Sequence, residues 1–301
     1  MNWCAAMFGV VSLDKPVGPT SHDMVDLVRR LTGMRRIGHA GTLDPLASGV
    51  LPILVGAATR FSDDLTGCPK RYEAVIRLGI RSATDDAQGP LEIGAPPPDP
   101  AAVAMALAAF VGTFEQRPPD FSARKVAGAV AHRAARQGKP IDLAARRVTV
   151  DGIDVLATEL EDDWLDVLCD IRCGAGTYIR SIARDLGDRL GCGGHLHALR
   201  RTEAAGLRVS DSIGPDQLEE LGEAGRLQEA VLPVAPLLDL PQLRLDTEAA
   251  GRFVHGSAVL IRGEGGAGRH AVFSDGALLG IGVLRDGMLE PRMVIAAQGT
   301  T

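Results

Sequence analysis

One carboxylate in this sequence stands in a loop suited to presenting it. Asp44 lies within Gly38-His39-Ala40-Gly41-Thr42-Leu43-Asp44-Pro45-Leu46-Ala47-Ser48-Gly49. The run that follows, Val50-Leu51-Pro52-Ile53-Leu54-Val55-Gly56, is uncharged and reads as a buried strand or core segment. Gly38, Gly41 and Gly49 admit backbone angles closed to other residues, and Pro45 keeps Asp44 extended. A rigid base with an ionisable acid at its tip can present a nucleophile. The same residues also make an ordinary tight turn, where Asp-Pro is common, and local composition alone favours the turn. Other chemistries are less well supplied. Gly33 to Gly38 has the glycine spacing of a phosphate loop, but His39 and Ala40 stand where a lysine and a hydroxyl should follow. No Gly-x-Ser-x-Gly elbow occurs. Cys192, His195 and His197 offer three metal ligands without a fourth at suitable spacing, so no metal is expected.

Several elements must hold that loop. Phe8 to Leu13 reads as a strand. A helix follows, capped by Thr20 or Ser21, with Met24, Leu27, Val28 and Leu31 on one face. Glu73 to Ser82 alternates as a strand, placing Ala74, Ile76, Leu78 and Ile80 on one side. After the linker Ala95-Pro96-Pro97-Pro98, Asp99 caps a helix that begins at Pro100 and runs to about Val111. Pro118-Pro119 opens a basic insertion with a helix expected around Ala123 to Gln137. Val148 to Leu160 and Trp164 to Cys173 read as strands, and Thr177 to Leu190 as a helix closed by Gly191. Past the prolines at 233, 236 and 241, short apolar runs are split by Ser274-Asp275-Gly276 and Arg285-Asp286-Gly287. Such Asp-Gly pairs signal hairpins, so the tail reads as a small β domain.

Composition narrows the classes. The 301 residues allow one large domain and a small one, and 46% hydrophobic residues supply a sizeable core. No apolar run approaches the ~18–20 residues of a membrane span. The first seven residues lack the features of a secretory signal, and five cysteines without paired spacing fit a reducing cytoplasm. Net charge is −6, but Phe121 to Val148 holds seven cations against one acid. That local +6 leaves −12 for the remainder, a pattern that fits either an RNA footprint or a solvated helix face.

Four ordered motifs carry a resemblance. Gly38 to Phe61, Val10-Val11-Ser12-Leu13-Asp14-Lys15-Pro16, Lys70-Arg71-Tyr72, and Gly174-Ala175-Gly176-Thr177-Tyr178-Ile179-Arg180 with Leu199-Arg200-Arg201 resemble the TruB family of pseudouridine synthases. The resemblance spans roughly the first three quarters of the chain. It implies an α+β fold: a mixed-sheet pseudouridine synthase core with flanking helices and a basic insertion, plus a small C-terminal β domain of the PUA type. The expected boundaries are 1–232 for the catalytic domain, about 117–147 for an RNA-gripping insertion, 233–242 for a linker, and 243–301 for the RNA-binding β domain. The implied activity is isomerisation of uridine 55 in the T arm of transfer RNA by a cytoplasmic monomer.

The resemblance also implies roles. Asp44 is the nucleophile, through C1′, C6 or a ribose proton, and Arg180 is its partner, able to grip a carboxylate at two points. Tyr72 stacks on the uracil and takes the C5 proton, and Leu199 covers the other side. His39 fills the space left by the flipped base, whose extraction costs a few kcal/mol. Lys15 and Tyr178 line the same pocket. Arg124, Lys125, Arg200 and Arg201 are candidate phosphate contacts. The reaction gains no atoms, so no cofactor is called for. The sequence departs from the family at Ala129, Val130 and His132, where the insertion usually carries cations and a tyrosine. Ser82-Ala83-Thr84-Asp85-Asp86 departs mildly from a Thr-x-Thr-x-Asp spacing; neither departure is expected to touch the chemistry. Two rival readings are a T-arm folding or binding module with catalysis secondary, and a guide-RNA-dependent synthase acting on ribosomal RNA.

Overall fold

A computed structural model describes residues 7–121, 143–261 and 266–295, together with the backbone at 125–126 and 129–130. The first third runs β1 (Gly9–Lys15), α1 (Ser21–Thr32), β2 (Ile37–His39), β3 (Ala47–Val55), α2 (Ser62–Gly67) and β4 (Lys70–Leu78). Next come β5 (Ile80–Ser82), β6 (Leu91–Ile93), α3 (Pro100–Ala108), β7 (Gly112–Gln116), β8 (Lys125–Val126), β9 (Ala129–Val130), β10 (Arg146–Leu160) and β11 (Leu165–Cys173). Then follow α4 (Ile179–Leu190), β12 (Gly194–Ala204), β13 (Leu207–Arg208) and α5 (Pro215–Glu223). The tail holds β14 (Gln242–Arg244), α6 (Thr247–Val254), β15 (Val259–Leu260), β16 (Gly268–Ser274), β17 (Ala277–Arg285) and β18 (Met288–Val294).

The large sheet has the order β1-β3-β12-β4-β11-β10-β7, with β2 also on β3 and β13 on β12. Strand β12, late in sequence, is inserted between two early strands. It runs parallel to β3, with Leu199, Arg200 and Arg201 opposite Ala47, Ser48 and Gly49. It runs antiparallel to β4, with Leu199 opposite Ala74 and Arg201 opposite Tyr72. Strand β12 thus bridges β3, into which the Asp44 loop leads, and β4, which carries Tyr72.

Helices α1 and α4 cover one face. Thr20 caps α1, accepting from the Asp23 amide, while Met24, Val25, Leu27 and Val28 are buried in the same core as Ile182 and Leu186 of α4. Each such side chain removed from water contributes about 1.5–3 kcal/mol. Gly191 takes φ 74° and closes α4, the left-handed cap its position predicts.

The strand expected from Glu73 to Ser82 breaks at Gly79, whose φ is +97°, so β4 and β5 separate. The expected helix in the insertion is corrected in its described part: β8 pairs with β9. Valines at 126 and 130 suit strands, and Gly128 weakens a helix.

The C-terminal β domain is a five-stranded sheet ordered β14-β16-β17-β18-β15. Both Asp-Gly pairs turn its hairpins, with positive φ at Asp275, Gly276, Asp286 and Gly287. It packs on the large sheet through a shared cluster that includes Phe61, Leu65, Leu238, Ala271 and Ile281. Among the described residues no helix is long and apolar enough to cross a membrane.

Candidate active site

The loop that presents Asp44 is tied down at each end. Ser21, the first residue of α1, donates its hydroxyl to the Leu43 carbonyl (2.9 Å) and accepts from the Leu43 amide (2.8 Å). The Gly18 amide donates to Pro45 O, and the Ala47 amide to Asp44 O. These bonds leave the Asp44 side chain 41% exposed at a cleft of about 480 Å³. The cleft wall combines Asp44 with Tyr72 of β4, Tyr178 and Arg180 at the start of α4, and Leu199 and Arg201 of β12.

Arg180 is 5% exposed, and one of its terminal nitrogens, Nη2, lies 2.9 Å from Asp44 Oδ2. The expected two-point grip on Asp44 is corrected. The guanidinium divides between two acids, with Nη1 standing 3.4 Å from Asp86 Oδ2. Nη1 also donates to Thr84 O, and Nη2 to Phe121 O. Asp86 is itself buried and accepts from the Thr84 hydroxyl (2.7 Å) and the Gln88 amide (3.0 Å). The 82–86 stretch therefore does reach the site, against expectation. Asp86 was missed because its partner is 94 residues away; the Thr-Asp-Asp run was its only local signal.

Tyr72 is 7% exposed, and burial pushes its phenol up while the nearby Arg201 guanidinium opposes that shift. Gln116, also buried, clamps Tyr178. Its side-chain oxygen accepts from the Tyr178 amide (2.9 Å), and its nitrogen donates to the Tyr178 carbonyl (3.0 Å).

Other predicted residues are placed differently. Lys15 lies beneath the cleft, not in its wall: it is fully buried, and Nζ donates to Pro16 O and Pro19 O. Burial brings its pKa down to about 8, with Asp44 opposing. His39 is half-buried at the end of β2, and its Nδ1 has no partner among the described residues. Burial, helped by Arg201, lowers its pKa and keeps the ring neutral. Arg200 pairs with Asp14 (2.7 Å) and remains partly open to solvent. Arg201 is 1% exposed, so a phosphate outside the protein cannot reach it. Arg124 and the Lys125 side chain lie outside the described residues.

A second cleft, of about 930 Å³, separates α2 from the C-terminal sheet. Arg60, Arg269, Arg285 and Arg292 line it, and none of the predicted catalytic residues does.

The TruB family pseudouridylate synthase N-terminal domain matches residues 29–179. The tRNA pseudouridylate synthase B C-terminal domain matches residues 180–239, and the C-terminal region of pseudouridine synthase II TruB matches 241–295. The tRNA pseudouridine synthase B of Thermobifida fusca is 44% identical over 295 residues, covering 96% of this chain and 98% of the relative. That of Ralstonia pickettii is 40% identical over 299 residues, covering 95% and 94%. Among solved structures, a chain of an H/ACA RNP bound to a substrate RNA containing 2′-deoxyuridine superposes with TM-score 0.73 at 25% identity, covering 97% of this chain and 86% of that one. A chain of a Cbf5-Nop10-Gar1 complex gives 0.71 at 27%, covering 95% and 84%.

Proposed function

This chain belongs to the TruB family of pseudouridylate synthases, and from that premise we propose that it isomerises uridine 55 in the T loop of transfer RNA to pseudouridine. The observation that carries the reading is the Asp44–Arg180 contact of 2.9 Å at the mouth of a cleft that also holds Tyr72. A pure RNA binder has no use for a carboxylate facing its ligand.

In this reading Asp44 is the ionised nucleophile, and Arg180 holds it against a flipped uridine. Tyr72 and Leu199 sandwich the base, which suits recognition by stacking. His39 takes the vacated place in the T loop. The detached uracil turns within the cleft, rejoins the ribose through C5, and loses its C5 proton to Tyr72. No group outside the chain is required by this scheme, which gains and loses no atoms overall. Residues 1–232 form the catalytic domain and 243–301 an RNA-binding β domain, joined by the 233–242 linker. Arg124, Lys125 and Arg200 meet phosphates.

We also propose that it acts in the cytoplasm as a monomer without a guide RNA. The family match with tRNA-directed relatives favours transfer RNA over ribosomal RNA. The test compares wild type with Asp44→Asn on a uridine-containing T-arm hairpin, with no guide RNA present. Wild type should form pseudouridine, whereas Asp44→Asn should bind normally and yield no product. Full activity in Asp44→Asn would remove the nucleophile assignment.

A further inference from the structure

Arg201 is a buried cation without a carboxylate. It is 1% exposed, and among the described residues no acid forms an ion pair with it. Its Nε donates to Val50 O (2.7 Å) and its Nη2 to Gly41 O (2.9 Å). Those two carbonyls fix the guanidinium plane and tie β12 to both ends of the Asp44 segment. Its remaining terminal nitrogen, Nη1, lies toward Gly41, since a β-carbon there would stand 3.4 Å from it. Across the β12–β4 ladder Arg201 is opposite Tyr72, and both residues line the same cleft. Burying an uncompensated guanidinium is costly, so its retention asks for a use.

We propose that Arg201 is the positioning residue for Tyr72, orienting the phenol from the neighbouring strand and easing its conversion to the phenolate that accepts the proton from C5 of the uracil. This rests on the uridine isomerisation proposed above. The step balances without a co-reactant. The C5–H bond breaks, its electron pair returns to the uracil ring, and the proton forms an O–H bond with the Tyr72 phenolate. The phenol gives that proton to solvent when the cleft reopens, and Arg201 keeps all of its own.

The other groups around the phenol resist or do not assist its ionisation, which leaves that task to Arg201. Asp44 from its loop opposes ionisation, and so does burial. Cys173 of β11 faces it as a neutral thiol, pushed up to about 11 by burial. Lys70, at the start of β4, gives its Nζ to Thr66 O and Cys68 O, and burial beside Arg201 brings it down to about 8. Arg201 is the cation opposite the phenol across the ladder, and its charge eases the ionisation that burial resists. Without it the phenol is harder to ionise, and below its pKa each unit of upward shift costs about tenfold in phenolate.

The experiment uses T-arm hairpins carrying protium or deuterium at C5 of the target uridine, under single turnover across alkaline pH. Wild type is run first; absence of product there would strike the isomerase reading itself. Given wild-type turnover, Arg201→Gln should bind the hairpin as wild type does and lose about tenfold or more in rate. Its C5 isotope effect should exceed the wild-type value, and its rate should keep rising with pH after wild type levels off. Arg201→Lys, which keeps a charge, should lose less, and it carries the test alone if Arg201→Gln does not fold. In a Tyr72→Phe background the Arg201 change should cost nothing further. Loss of rate with an unchanged isotope effect and an unchanged pH profile would overturn the proposal. So would an equal further loss in the Tyr72→Phe background.

Discussion

Arg180 gives its two terminal nitrogens to different acids, and that division assigns each acid a job. Asp44 faces the cleft, half open to the substrate. Asp86 lies behind, buried, and fixes the guanidinium so that Asp44 meets an already oriented partner. A lysine ends in one nitrogen and cannot span both carboxylates. Arg180→Lys is therefore expected to lose about 10²-fold or more in single-turnover rate on the T-arm hairpin. Asp86→Asn keeps the shape but removes the charge. It should lose about tenfold in kcat while KM stays near wild type, the pattern of an interaction that matters mainly in the transition state. A change confined to KM would show that Asp86 only shapes the RNA surface. The resemblance singled out Asp44, Tyr72, Arg180 and Leu199, four residues that the cleft brings together. It did not supply Asp86, nor the buried setting of Arg201, because both depend on neighbours distant in sequence.

Elements were legible where local rules decide them. Thr20 and Asp99 cap their helices with side-chain acceptors, Gly191 closes α4, and the Asp-Gly pairs turn the C-terminal hairpins. Strand order was not legible, since nothing local says that β12 slips between β3 and β4. The short β8–β9 ladder went unseen because the alanines around it suit a helix better. That hidden strand order has a mechanical consequence. Helix α4, which carries Arg180, lies so close to the start of β12 that a β-carbon on Gly187 would sit 2.1 Å from Gly194 N and 2.2 Å from Gly193 C. Both contacts are backbone, so one element must move. Gly187→Ala should cost about 1–3 kcal/mol in urea unfolding, as overpacking does. Displacement of α4 should also lower the rate on the hairpin through Arg180. Unchanged stability would mean that α4 is free to shift, and that the close approach does not hold Arg180 in place.

At the scale of the molecule, the net charge of −6 hides where cations gather. The C-terminal sheet is joined to the catalytic core by a shared apolar cluster and by the Arg269–Asp64 ion pair, so it presents a fixed surface beside α2. Arg60, Arg285 and Arg292 line the cleft between them together with Arg269, and Asp63, Asp64 and Asp239 share its wall. Guanidinium groups suit phosphate recognition, and this cleft adjoins the catalytic one through Asp63 and Gly67, so RNA that extends past the flipped nucleotide would meet it. If the C-terminal sheet is an RNA-binding domain, the double change Arg285→Ala with Arg292→Ala should weaken binding of whole transfer RNA. It should also reduce the salt dependence of that binding by about one unit of slope per arginine. The isolated T-arm hairpin presents less RNA to the second cleft and should lose less in binding. Equal weakening on both RNAs would place these arginines against the T arm itself, and no weakening on either would take the cleft out of the RNA interface.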